Sequence, residues 1–226
     1  MRAGGFALDG RTFAAVLFDL DGTLIDSTPA VDRSWAAWAR EFGMDGNPVL
    51  GRHGLPAADK VQAMADGGAL ATDVVAAASA RIAELELGDT KDIVALPGAL
   101  AALAALPGRR AAIVTSCTRP LADARLRAAG LIAPPILVTA DELDFGKPHP
   151  EGYRTAATRA GYDPHRCLVV EDAPSGLEAG RAAGCVTLAV TTTTPVEQLM
   201  ADAVVGTLAD VRFSIDDHGV RIVRAS

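Results

Sequence analysis

Val16-Leu17-Phe18-Asp19-Leu20-Asp21-Gly22-Thr23-Leu24 is the stretch on which the reading of this chain turns. Its first half is an apolar, partly β-branched run of the kind that forms a buried strand. Gly22 supplies the backbone freedom for a sharp exit, and Thr23 offers a hydroxyl there. While the chain stays extended, residues two apart share a face, so Asp19 and Asp21 point together at the strand's end. Two carboxylates that close repel each other and need a cation, a shared proton or both. The plainer alternative is a strand ending in a solvated acidic turn, and this stretch alone leaves the two readings level.

Outward from that strand the chain changes character twice. Ser27 or Thr28, followed by Pro29, makes a good helix start. Val31, Trp35, Trp38 and Phe42 then recur at helical spacing, which marks the tryptophans as core. Residues 44–95 carry two Ala-rich helical patterns, Leu55–Ala65 and Ala71–Leu87, and no strand-like run. Residues 28–95 therefore read as a helical insertion, with 1–27 and 96–226 forming the body that it interrupts. From Leu96-Pro97-Gly98 onward, strand and helix patterns alternate. Strands are expected at Ala111–Thr115, Ile136–Val138, Cys167–Val170, Val186–Val190 and Ala203–Val205, with a terminal hairpin around Asp217-His218-Gly219. That alternation implies an α/β fold with a parallel sheet covered on both faces.

Composition narrows the function. Half of the 226 residues are hydrophobic but only 4% are aromatic, so the core rests on Ala, Val and Leu. The formal charge of −7 argues against nucleic acid or an anionic membrane as partner. No run approaches the length of a membrane span, and Met1–Thr12 lacks the order of a signal peptide. Cys117, Cys167 and Cys185 lie far apart without metal-ligand spacing, which suits a reducing compartment. A cytoplasmic monomer is the expectation.

In an open α/β sheet, ligands bind beyond the carboxyl ends of the strands. Four strand ends carry chemistry here: Asp19, Asp21 and Thr23; Thr115, Ser116, Cys117 and Thr118; Gly146-Lys147-Pro148 on the loop after the Ile136 strand; and Glu171-Asp172. Several carboxylates with a lysine and no His/Cys cluster select a hard, oxygen-loving ion, Mg²⁺ above others. Mg²⁺ and Lys together equip a site for phosphoryl transfer, with Thr23 and Ser116 available to phosphate oxygens. An aspartate can act as nucleophile, and a carboxyl beside it can serve as acid and then base if its pKa is raised. The like charge next to Asp21 is expected to help raise it.

Phe18-Asp19-Leu20-Asp21-Gly22-Thr23, Val114-Thr115-Ser116, Gly146-Lys147-Pro148 and Val170–Gly176 together resemble motifs I to IV of the haloacid dehalogenase superfamily. The match runs in order from about residue 14 to 205. The resemblance implies a Rossmann-like core with a helical cap inserted after the first strand. It implies Asp19 as nucleophile, Asp21 as general acid/base, and Ser116 (or Thr115) with Lys147 on the phosphate. Mg²⁺ would be held by Asp19, the Asp21 carbonyl and Asp172, with Glu171 direct or through water.

Within that superfamily, Asp21 argues against dehalogenases, which lack it, and against phosphonate-cleaving members, which place Ala there. The cap segment Gly51-Arg52-His53-Gly54-Leu55-Pro56-Ala57 has no Arg after the Gly, unlike β-phosphoglucomutases, and resembles the sugar and polyol phosphatases. Hydrolysis of a small sugar or polyol phosphate is thus expected. A phosphomutase, a phosphoglycolate phosphatase-like enzyme and a non-enzymatic phospho-binding protein are the alternatives. Arg52 and His53 either read substrate hydroxyls or phosphate from the cap or belong to a solvated loop. Arg119 either supports the phosphate turn or merely starts a surface helix.

Overall fold

The computed structural model describes residues 6–45 and 54–225. In chain order its elements are β1 (Thr12–Phe13), β2 (Ala15–Phe18), β3 (Ile25–Asp26), α1 (Thr28–Glu41), α2 (Ala57–Asp66), α3 (Val75–Gly88) and β4 (Val94–Ala95). There follow α4 (Ala99–Ala104), β5 (Ala111–Val114), α5 (Arg119–Ala128), β6 (Ile136–Val138), α6 (Glu151–Ala160), β7 (Cys167–Glu171) and α7 (Pro174–Ala183). β8 (Val186–Val190), β9 (Ala203–Val205), β10 (Val211–Asp216) and β11 (Gly219–Arg224) complete the chain.

Six strands form one parallel sheet in the order β6-β5-β2-β7-β8-β9. The strand carrying the opening motif is therefore central, with β5 on one side and β7 on the other. Strand order reverses at β2, which opens a crevice at its carboxyl end. All four β2 residues are buried, and they alternate between two cores: Val16 and Phe18 in one, Ala15 and Leu17 in the other. A continuous apolar run was the signature of such a doubly covered strand. Tyr153, Ala156 and Ala157 of α6 cover one face. Leu121 and Leu126 of α5 cover the other, together with Phe213 and Ile222 of the terminal hairpin. The hairpin β10–β11 forms as expected, and β1 adds a third strand to it.

Helices α1, α2 and α3 pack on a separate apolar cluster built from Trp35, Trp38, Val61, Met64, Ala78 and Ile82. Both tryptophans are fully buried, and Trp38 Nε1 donates to the Ala78 carbonyl at 2.8 Å. One expectation for this stretch fails. Val94–Ala95 is a strand that pairs antiparallel with Ile25–Asp26, so the segment is not free of strand. Two residues are too few for any period, which is why the pattern gave no sign of it. A second correction concerns the start of α1. Ser27 occupies the N-cap position but its side chain does not cap, because the hydroxyl is turned to Asp21; the Asp26 carboxylate accepts from the Thr28 N–H at 3.0 Å instead. Among the described residues no helix is long and apolar enough to cross a membrane.

Candidate active site

The chain leaves β2 through a tight turn in which the Leu20 carbonyl accepts from the N–H groups of Leu24 and Ile25. Gly22 sits at φ +89°, and a Cβ there would collide with the Asp172 carboxylate. Only glycine lets the turn close this near to the acidic group beyond β7. Gly176 does the same for Glu171, whose carboxylate fills the space a Cβ would need.

Asp19, Glu171 and Asp172 are all buried, with carboxylate oxygens within 4.8 Å of one another. Lys147 Nζ ion-pairs with Asp19, and with Glu171 at 2.6 Å, and it donates to the Val114 carbonyl at 3.2 Å. The far oxygen of Glu171 accepts from the N–H groups of Asp172 and Ala173 at 3.0 and 3.2 Å. Burial, and then repulsion from Glu171, push Asp19 well above the ordinary carboxylate range and Asp172 up to about 7. Burial opposes the Lys147 charge, but Asp19 and Glu171 outweigh it and hold the ammonium firmly protonated. With all three carboxylates ionised, the one ammonium leaves two excess negative charges in a buried, all-oxygen set, a repulsion that adds to burial in raising Asp19 and Asp172. A divalent cation with a taste for oxygen ligands cancels that excess, so the residues fit a metal ion of this class.

Asp21 belongs to a different neighbourhood, although it is two residues away. Its carboxylate accepts from Ser27 Oγ at 2.6 Å, Arg125 at 2.9 Å and Cys117 Sγ at 3.1 Å. Burial alone would raise its pKa, but Arg125 and then the Ser27 and Cys117 hydrogen bonds outweigh it and hold it below the ordinary value. The expected upward shift is thus wrong for this conformation. A guanidinium 2.9 Å away decides the sign, not the like charge of Asp19. Burial keeps the Cys117 thiol neutral, and it serves as a donor.

Thr23 Oγ1 donates to Asp172 at 3.3 Å, and the Thr115 hydroxyl accepts from the Cys117 N–H at 3.1 Å. Ser116 Oγ donates at 2.8 Å to the carbonyl of Gly54, across to the helical insertion. Arg52 and His53 lie outside the described residues. Arg119 is a surface residue: its side chain pairs with Asp123 at 3.3 Å and its N–H with Asp141. Three partners were not anticipated. Tyr153 Oη donates to Glu171 at 2.9 Å, Thr193 donates to Asp172, and Arg125 holds Asp21. Arg125 had a signal: with Leu121, Ala122 and Leu126 it is on the buried face of α5, where an unpaired charge would not survive.

A cavity of about 740 Å³ opens over these strand ends, walled by Asp19, Asp21, Thr115 and Ser116 below and by α2 and α3 above. A statistical model of the haloacid dehalogenase-like hydrolases matches residues 13–184. The chain belongs to that family. It is 41% identical over 212 residues to hexitol phosphatase A of Escherichia coli (strain K12), covering 92% of this chain and 97% of that protein. It is 35% identical over 195 residues to glycerol-1-phosphate phosphohydrolase 2 of Saccharomyces cerevisiae (strain ATCC 204508 / S288c), covering 79% and 75%. Among solved structures, a hydrolase from Pseudomonas syringae superposes with a TM-score of 0.78 at 24% identity, covering 88% of this chain and 95% of that one. That likeness speaks to the fold alone.

Proposed function

We propose that this chain is a Mg²⁺-dependent phosphatase that hydrolyses a small sugar or polyol phosphate through a phosphorylated Asp19. The observation that carries the reading is the buried Asp19–Lys147–Glu171–Asp172 cluster, whose Asp19 faces a cavity of ligand size. The hexitol and glycerol phosphate relatives supply the substrate class. Residues 28–95 act as the cap over a core made of 1–27 and 96–226, and the enzyme works as a cytoplasmic monomer.

Asp19, Asp172, the main-chain carbonyl of Asp21 and Glu171 (directly or through water) would hold Mg²⁺. When bound, the ion supplies positive charge against the phosphate oxygens. Asp19 attacks phosphorus, and the ester oxygen departs with a proton. Lys147 balances negative charge on Asp19 and on the phosphate, while Ser116, Thr115 and Thr23 offer hydroxyls to the peripheral oxygens. In the conformation described Asp21 is an ionised carboxylate, the form suited to take a proton from the water that attacks phospho-Asp19. To protonate the leaving oxygen first, it must gain a proton, which requires its contact with Arg125 to loosen as substrate enters.

The test is phosphate release in Mg²⁺ buffer from hexitol, pentose, glycerol, glycolate and nucleotide monophosphates, with 4-nitrophenyl phosphate as a generic ester. Turnover concentrated on sugar and polyol phosphates is expected. Conversion of glucose 1-phosphate to glucose 6-phosphate without free phosphate would replace the reading by a mutase. Silence on every ester would leave a phospho-binding protein.

A further inference from the structure

Helix α3 turns an apolar stripe toward its neighbours, with buried residues at 78, 82 and 86. The first two are Ala78 and Ile82. The third is Glu86, a carboxylate only 7% exposed at a core-facing position. A charge is kept in such a place only when something pairs with it. Its partner comes from the core. Arg125 of α5 reaches Glu86 Oε1 with one terminal nitrogen at 3.5 Å and Asp21 Oδ1 with the other at 2.9 Å. One guanidinium thus spans the gap between a carboxylate of the helical insertion and the carboxylate that faces the leaving group.

Glu86, Arg125 and Lys60 all line the cavity above Asp21. Lys60 of α2 holds its ammonium over the ring of Trp35; burial lowers its pKa, and the charges of Glu86 and then Asp21 work against that shift. Trp35 Nε1, buried beside Glu86, favours the charged form of that carboxylate, and Arg125 Nε is a buried donor that makes no hydrogen bond among the described residues. The 3.5 Å contact to Arg125 is also longer than a normal hydrogen bond, and a carboxylate has about four acceptor positions. Acceptor capacity therefore remains on Glu86, with donor capacity around it.

The geometry points to Glu86 as the residue that reads the hydroxyls of a substrate's polyol chain, with Lys60 and Arg125 completing the subsite. The inference rests on the phosphatase reading above and deepens it. Two ammonium or guanidinium groups stand against two carboxylates, so the cluster as a whole is neutral. It suits a hydroxyl, which donates and accepts at once, in preference to a second phosphate, which would confront Asp21 and Glu86. A hydroxylated chain entering here donates hydrogen bonds to Glu86 and accepts them from Lys60. A plain alkyl chain leaves these groups desolvated and unpaired, the condition under which such sites reject an analogue most strongly.

The matched pair of substrates is a hexitol 6-phosphate and n-hexyl phosphate, which share an alkoxide leaving group and differ in hydroxyls alone. Their kcat/KM values are measured in Mg²⁺ for the unaltered chain, Glu86→Gln and Glu86→Leu, with 4-nitrophenyl phosphate confirming that each preparation turns over. The Leu side chain continues the apolar stripe, and the Gln is isosteric should the Leu variant fold poorly. The ratio of hexitol to hexyl phosphate is expected to fall at least tenfold in Glu86→Leu, mostly through KM, and by a smaller factor in Glu86→Gln. A ratio unchanged in Glu86→Gln, or equal losses on both substrates, overturns the assignment of Glu86. No preference for the hexitol ester in the unaltered chain, with 4-nitrophenyl phosphate still hydrolysed, overturns the polyol reading itself.

Discussion

Asp19 and Asp21 are separated by one residue and live in opposite electrostatic surroundings. Asp19 shares its space with Glu171, Asp172 and a single lysine, and burial with like charge raises its pKa. Asp21 is surrounded by donors, Arg125, Ser27 and Cys117, and is held low. The strand brings both carboxylates to one end of the sheet, but the elements that arrive later assign their chemistry. β7 and the Lys147 loop build the carboxylate–lysine cluster around Asp19, whereas α1 and α5 build the donor pocket around Asp21. Sequence spacing predicts proximity; it does not predict which neighbour wins.

That contrast can be attacked from both sides. The largest effect is expected at Asp19: Asp19→Asn should lower phosphate release by roughly 10⁵-fold or more, as loss of a nucleophile does, with the circular dichroism of the fold retained. Residual turnover near the original rate would remove Asp19 from the chemistry. Asp21→Asn should cost about 10²–10⁴-fold on alkyl phosphates, and less on 4-nitrophenyl phosphate, whose leaving group needs little protonation. An equal loss on both esters would mean that Asp21 has no acid role. On the stability side, Arg125→Met strands two buried carboxylates, Asp21 and Glu86, and should lower Tm by roughly 10 °C. A thermal scan with no shift would show the network to be dispensable.

The smallest effect is a pH dependence on the Asp19 side. Asp172 has an ordinary value of 3.8 and is pushed up to about 7 in the folded chain. Between those values the folded state keeps a proton that the unfolded chain has released, so this group's contribution to stability shrinks as pH rises from about 4 to about 7. Metal binding favours the deprotonated carboxylate. The gain in Tm from EDTA to excess Mg²⁺ should therefore be greater at pH 8 than at pH 5, by a few degrees or so. Equal gains at the two values would mean that no shared proton competes with the metal.

How much was legible follows from where each residue sits. The parallel strands were readable because a doubly buried strand is a continuous apolar run, as in Ala111–Val114 and Cys167–Glu171. Asp19, Glu171 and Asp172 were readable because each lies at or just beyond a strand end, and Lys147 because Gly146 and Pro148 hold it on the loop after β6 with no helical face to solvate it. Arg125 and Glu86 were not, since a helix displays charges on every turn and only the buried face makes one informative. Both lie on that face, 4% and 7% exposed, so a charged residue at a core position was the missed signal. The sign of the Asp21 shift could not be read without Arg125. The Ile25–Asp26 and Val94–Ala95 ladder escaped because two residues carry no period.

The most direct measurement traps the covalent step. The protein is mixed with Mg²⁺ and excess hexitol phosphate, quenched within the first turnovers, and treated with borohydride, which reduces an acyl phosphate to the alcohol and so converts the parent aspartate to homoserine. Peptide mass spectrometry should find that change at Asp19, only when substrate is present, and never at Asp21. Conversion of Asp21, or turnover with no aspartate converted, would contradict the division of labour between the two carboxylates.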